Sequence, residues 1–302
     1  MKNGINILLI ITVVIASAAV SCQHIMAAVE YGAQAAGAAG VLDQNAADAI
    51  SVSSRAIGSA AEEITPEQEY YIGRAVAANI LSNYRILNGS PAMTAYLNRI
   101  CAAITINSPR PDVFNGYHVA ILDSNEINAF ATSGGHIFVT RGLINAAKSE
   151  DALAGVIAHE IAHIQLQHSI RAIRTSRITQ ALMVTGVSTA GAAAGMSVNE
   201  LTDVFNESVG EIVSTLVSNG YSQNQEFEAD NTALRLLASA GYSPSGLIDM
   251  LRELRSVQTG SVGFGKTHPT PAQRITNAQK TVGNYRVTDT RSYRQSRFTL
   301  AR

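Results

Sequence analysis

The run GVIAHEIAHIQLQH at residues 155–168 constrains this chain more than any other stretch. Val156, Ile157, Ile161, Ala162 and Ile164 make a helix here apolar on most sides, so that helix must be buried. Yet it also carries His159, Glu160 and His163, whose burial is costly unless each meets a partner. Residues four apart lie about 40° out of register on a helix, so the two imidazoles project together. Any fold of this chain must bring other elements against this helix and supply groups facing the two histidines.

The spacing His159-Glu160-x-x-His163 is H-E-x-x-H, in which two histidines hold zinc and the glutamate takes a proton from a water bound to it. Catalytic zinc needs a third protein ligand and an open position. His168 lies nine residues after His159, about 180° around a continuous helix, and is read as structural or exposed. Glu226, in SQNQEFEAD, is the better candidate. Ser222 and Gln225 form a capping-box pair that starts a helix there, so Glu226 and Asp230 share one face while Glu228 points away. His159, His163 and Glu226 then make a His₂Glu zinc site, and Asp230 accepts the free N–H of a ligand histidine.

The rest of the chain alternates helix starts with short apolar runs. Thr65-Pro66-Glu67-Gln68 opens a helix to about Asn83, and a second spans about Ala92 to Ile106. YHVAILDS, EINAFA and GGHIFVT read as strands, the last two joined as a hairpin through Gly134-Gly135. Ser149 caps the motif helix, with Glu150 and Asp151 in its first turn. Ser243-Pro244 starts a further helix, and Thr270-Pro271-Ala272-Gln273 repeats the cap signature. The class is α+β, mostly helical with one small sheet. Residues 178–199 carry no charge but many Thr, Ser, Gly and Asn, which fits a covering helix or lid better than a membrane span.

The first 21 residues read as a secretory signal, with Lys2, an apolar run from Ile5 to Val20, and small residues before Cys22. AVSC resembles a bacterial lipobox, which makes Cys22 a candidate lipidation site and the chain a candidate outer-membrane lipoprotein facing the periplasm of a Gram-negative-type envelope. Residues 22–62, rich in Ala and Gly, are either a tether leading into a weak helix or a helix packed on the domain. The other cysteine, Cys101, reads as a small buried hydrophobe. A net charge of −1 over 302 residues offers no footprint for nucleic acid.

The ordered set NAFATSGGHIFVTRGLI, SEDALAGVIAHEIAHIQLQH, QEFEAD and THPTPAQRI resembles zinc metallopeptidase family forty-eight over about residues 63–280, most nearly its envelope-lipoprotein members. The resemblance implies a gluzincin core with one zinc ion and an endopeptidase acting on unfolded or misassembled envelope polypeptides. It also implies an extended substrate added to a strand edge at Gly135, His136, Ile137 and Phe138. The arginine-rich segment 281–302 reads as a solvated tail. An alternative of another class is an envelope chaperone using the same cleft without cutting; the presence of Glu160, which zinc binding does not require, argues against it.

His268 precedes Pro269, so it sits in extended backbone just before the helix at Thr270. In related envelope peptidases the matching histidine can fill the zinc's open position. His268 is therefore either a fourth, inhibitory ligand or a transition-state hydrogen-bond donor with Arg274 nearby, or else a loop histidine capping backbone groups.

Overall fold

A computed structural model describes residues 22–45, 47, 48, 50, 51, 54, 55, 63–175, 210, 220–257, 268 and 270–301. The predicted leader and the uncharged run 178–199 lie outside the described residues. The chain divides into two compact units, Met1–Ile64 with Ala172–Ser208, and Thr65–Arg171 with Val209–Arg302. Among the described residues no helix is long and apolar enough to cross a membrane.

In the first unit α1 (Cys22–Ala38) is followed by a turn at Gly40, and residues 44–55 are helical where described. Small residues form the seam: Ala33 and Ala47 are buried, and a Cβ on Gly37 would come within 2.7 Å of Ala47. An ion pair from Arg55 to Glu30 at 2.5 Å ties the two arms. Alanine-rich composition favours helix, and Gly37 lets two such helices approach.

The second unit runs through α2 (Pro66–Asn83), α3 (Pro91–Thr105), β1 (His118–Leu122), β2 (Ala129–Thr132), β3 (His136–Thr140), α4 (Arg141–Ala146), α5 (Glu150–Gln165), α6 (Gln223–Ser239), α7 (Ser245–Val257), α8 (Pro271–Gln279) and α9 (Arg291–Ala301). The capping boxes read at Thr65 and Ser222 are both formed, and Ser149 accepts from the Ala152 N–H. At Thr270 the helix starts as expected, but the hydroxyl donates to the Gln273 side chain at 2.8 Å rather than capping backbone.

Helix α5 is the centre of this unit, with every residue from Glu150 to Ile164 buried. α3, α6, α7, α9 and β2 all pack against it. Gly155 permits the close approach of α7, because a Cβ there would lie 2.7 Å from the Leu247 backbone. Cys101 lies in the same apolar core, where burial pushes its thiol up to about 12.

The sheet has the order β1-β3-β2, with β1 parallel and β2 antiparallel to β3. The β2–β3 hairpin turns at Gly134 and Gly135, both in the left-handed region at φ 76° and 96°. The outer edge of β1 is occupied: the Asn98 amide bonds both the N–H and C=O of Val119 at 2.9 and 2.8 Å, and Leu87 N–H donates to Ile121 O. β2 is therefore the edge strand beside α5. This corrects the expectation for Gly135, His136, Ile137 and Phe138. β3 is the central strand, paired on both sides, with Ile137 and Phe138 buried, so its backbone cannot receive an added strand.

The C-terminal segment also departs from expectation. Residues 291–301 form α9, whose Arg294 pairs with Asp151 at 2.9 Å and Arg297 with Glu150 at 2.5 Å. Phe298 is 4% exposed in the core, so this is no solvated tail: the acids of the α5 first turn need counter-charges, and α9 brings them. Phe298→Ala is expected to cost about 3 kcal/mol in urea unfolding, whereas Leu300→Ala, at a side chain 87% exposed, should leave the midpoint unchanged. Equal midpoints for the two variants would contradict the docking of α9.

Candidate metal centre

The motif helix and α6 meet with their polar groups face to face. His159, Glu160 and His163 on α5 are 1–2% exposed, and Glu226 and Asp230 on α6 are 0% exposed. Helix register explains the second pair: the Ser222 cap starts α6, so Glu226 falls in its first turn and Asp230 one turn later. His159 Nε2 and His163 Nε2 lie 3.1 Å apart. Glu226 Oε2 is 3.4 Å from His159 Nε2, and Glu226 Oε1 is 3.5 Å from His163 Nε2. His268 joins from the segment before α8, its Nδ1 2.8 Å from Glu226 Oε1.

Four residues, His159, His163, Glu226 and His268, thus place one donor atom each within 4.8 Å of one another. Hydrogen bonding alone serves this arrangement poorly, since two imidazole nitrogens face each other and Glu226 Oε2 has no hydrogen-bond partner among the described residues. A tetrahedral ion with bonds of about 2.0–2.1 Å separates its ligand atoms by roughly 3.3 Å. The observed spacings bracket that value, and three imidazoles with one carboxylate form a nitrogen–oxygen donor set suited to zinc.

Behind the donors, His159 Nδ1 is 3.0 Å from Asp230 Oδ1, the pairing expected for Asp230. Arg274 from α8 grips the same carboxylate twice, at 2.6 Å and 3.0 Å, and its Nη1 is 3.4 Å from Glu226 Oε2. Arg274 was expected beside the reacting groups. It is 0% exposed, lies against the His159 ring with Nη2 3.1 Å from Nδ1, and is a counter-charge for two carboxylates.

Glu160 projects beside the cluster, and its Oε1 is buried with no hydrogen-bond partner among the described residues. Burial pushes its carboxyl up, and the nearby His159 and His268 oppose that. Burial also pushes the Glu226 carboxyl up, but His268, Arg274 and His159 beside it hold it well below the usual carboxylate range. At His159, burial and Arg274 act downward, and the adjacent Asp230 and Glu226 carboxylates outweigh them, giving about 9. Burial lowers His163 well below its ordinary value.

Two further residues lie near the cluster, Tyr221, which no sequence pattern singles out, and His168, which is structural as one of its two readings has it. Tyr221, the residue before the Ser222 cap, stacks on His163 with centroids 4.2 Å apart and planes at 16°. His168 is not exposed on the far face. α5 ends at Gln165, Gln167 takes a left-handed φ of 54°, and His168 returns to place its Nδ1 2.8 Å from His163 Nδ1. Glu228 points away from the cluster as expected, half exposed, with Oε2 3.4 Å from His168 Nε2.

The model of peptidase family M48 matches residues 91–282, which contain every donor of this centre. The chain belongs to that family. M48 metallopeptidases use zinc, and the His-His-Glu-His cluster can hold one ion. This M48 chain is 26% identical over 237 residues to the beta-barrel assembly-enhancing protease of Escherichia coli K12, covering 76% of the chain and 46% of that relative. It is 29% identical over 188 residues to the metalloprotease LoiP of the same organism, covering 61% of the chain and 70% of LoiP. The mitochondrial metalloendopeptidase OMA1 of Schizosaccharomyces pombe is 29% identical over 202 residues, 65% of the chain and 56% of the relative. The chain spans about half the length of the assembly-enhancing proteases it matches.

Removing a counter-charge from such a cluster should be expensive. Arg274→Met leaves Asp230 and Glu226 buried without it and is expected to cost about 3 kcal/mol in chemical denaturation. Arg252→Met breaks an ion pair to Asp249 that is half exposed on both sides and should cost less than about 1 kcal/mol. Comparable losses in the two variants would contradict this account of Arg274.

Proposed function

We propose that this chain is a zinc metalloendopeptidase of the bacterial envelope, acting on unfolded or misassembled polypeptides. In this reading His159, His163 and Glu226 hold the metal, His268 is a fourth ligand, and Glu160 is the general base. The observation that carries it is the four-donor cluster with Glu160 beside it, one oxygen unpartnered and buried. When bound, zinc polarises a scissile carbonyl and lowers the pKa of its water towards about 7. Glu160 supplies what that chemistry lacks, a carboxylate that takes the water's proton and delivers it to the leaving amine. Asp230 fixes His159 with Nε2 free to ligate, and Arg274 keeps Asp230 and Glu226 ionised.

Substrate would bind extended, with backbone bonds to the outer edge of β2 and little sequence selection. β2 takes the role first given to His136, Ile137 and Phe138, because it is the edge strand packed against α5. The envelope setting is supported by the AVSC run that ends at the proposed lipidated Cys22 and by the similarity to a beta-barrel assembly-enhancing protease. The predicted 1–21 signal and the peptidase domain belong to the same reading, with the domain now extended through α9.

Glu160→Gln should retain about one zinc per chain but lose 10²-fold or more in chelator-sensitive casein hydrolysis, roughly the contribution of a general base. Glu226→Ala should lose zinc by elemental analysis, while Glu228→Ala should keep it. Zinc loss in Glu160→Gln, or exchanged outcomes for the two α6 variants, would remove these role assignments.

His268 within hydrogen-bonding reach of Glu226, and within the donor cluster, favours the inhibitory-ligand reading over the donor reading. His268→Ala should therefore raise basal proteolysis at unchanged zinc content. A fall in rate would instead assign it to transition-state stabilisation.

A further inference from the structure

We propose that His168 is a positioning residue for His163, accepting its Nδ1–H and passing the tautomer requirement outward to Glu228. The inference rests on the zinc reading above and concerns this chain's own residues.

His163 has two ring nitrogens with different surroundings. Nε2 faces His159 and Glu226, while Nδ1 lies 2.8 Å from His168 Nδ1. Two nitrogens at that distance share one hydrogen. If His163 offers the Nε2 lone pair to a metal, its hydrogen must stand on Nδ1, so His163 donates and His168 Nδ1 accepts. His168 must then carry its own hydrogen on Nε2, which lies 3.4 Å from Glu228 Oε2, a group that only accepts. The order of protons is thus set from a half-exposed carboxylate inward through two imidazoles.

The two ligand histidines are therefore oriented by different means. His159 meets Asp230 directly, with Arg274 compensating the buried charge. A second buried carboxylate at His163 would have no such compensation, because Arg274 already serves Asp230 and Glu226. A neutral imidazole avoids that cost and leaves the charge on Glu228, whose side chain is 54% exposed.

The corner that presents His168 is held at several points. Gln167 occupies a left-handed conformation that residues other than glycine seldom adopt. Its amide donates to Glu69 Oε2 at 3.0 Å. Arg110 also donates to Glu69 Oε2, at 3.1 Å, and to Ile164 O at the end of α5, at 3.2 Å. Tyr221 covers the other side of both imidazoles, with its ring centroid 4.2 Å from His163 and 5.6 Å from His168.

Two variants of nearly equal shape separate acceptor from packing. In His168→Asn the side-chain oxygen takes the place of Nδ1, one bond beyond Cγ; in His168→Leu a methyl group does. Zinc affinity of the full chain, measured by competition with a chromophoric chelator, should fall about 10–100-fold in His168→Leu. His168→Asn should stay within a few-fold of the parent, and the thermal melts of both variants should be alike. Equal losses in Leu and Asn, or none in Leu, would overturn the proposal. Should His168→Leu fail to fold, ¹⁵N-histidine spectra of the zinc-loaded parent decide. The expected tautomers are Nδ1–H at His163 and Nε2–H at His168, and a hydrogen on His168 Nδ1 refutes the relay. A parent chain that binds no zinc removes the peptidase reading itself, whereas a zinc-binding parent with either adverse result removes only His168's role.

Discussion

The face of α5 that holds two imidazoles and a carboxylate out of water dictates much of the second unit. Such groups are tolerated at nearly zero exposure only when opposing charges and lone pairs meet them. α6 provides two carboxylates at the right register, α8 provides Arg274 to balance them, and the segment before α8 adds His268. Each contribution is useful only with the others in place. Arg274 without Asp230 and Glu226 would be an unpaired buried cation, and the two carboxylates without Arg274 would repel at close range. The centre behaves as one mutually dependent network rather than a metal motif with accessories.

What sequence pattern revealed was governed by local rules. The shared face of His159 and His163 follows from helix periodicity, and Glu226 and Asp230 follow from the position of the Ser222 cap. The hairpin followed from paired glycines for the same reason. The errors arose where a local rule was extended past its element or where distant pairing decided. His168 was placed by continuing a helix that in fact stops at Gln165, and no residue pattern near Gln167, itself not a glycine, announces the reversal. The central place of β3 depends on β1 joining it in parallel from outside the hairpin, a pairing that no local pattern encodes. Arg274 was recognised as near the site but not as its counter-ion, since depth of burial depends on how α8 docks.

The C-terminal helix shows the same limit from another side. Arginine-rich composition suggests solvent, yet Arg294 and Arg297 answer Asp151 and Glu150 at the start of α5, and Phe298 fills the core beside them. The first-turn acids were legible as helix-dipole partners. Their second role, as anchors for a segment far along the chain, was not.

The separation of those partners in sequence has a consequence for the order in which the molecule can be built. Glu150 waits for Arg297, 147 residues later, and Asp230 for Arg274, 44 residues later. Synthesis proceeds from the N-terminus, and contacts between distant residues carry the largest closure cost. A growing chain that has released α5 and α6 but not α8 and α9 has Glu226 and Asp230 for the two imidazoles, but no Arg274 to balance those carboxylates. It also lacks His268 for the cluster and Arg297 for Glu150. Maturation of the centre is thereby tied to the emergence of α8 and the segment before it, so the cluster is completed only after α5 and α6 have both been made.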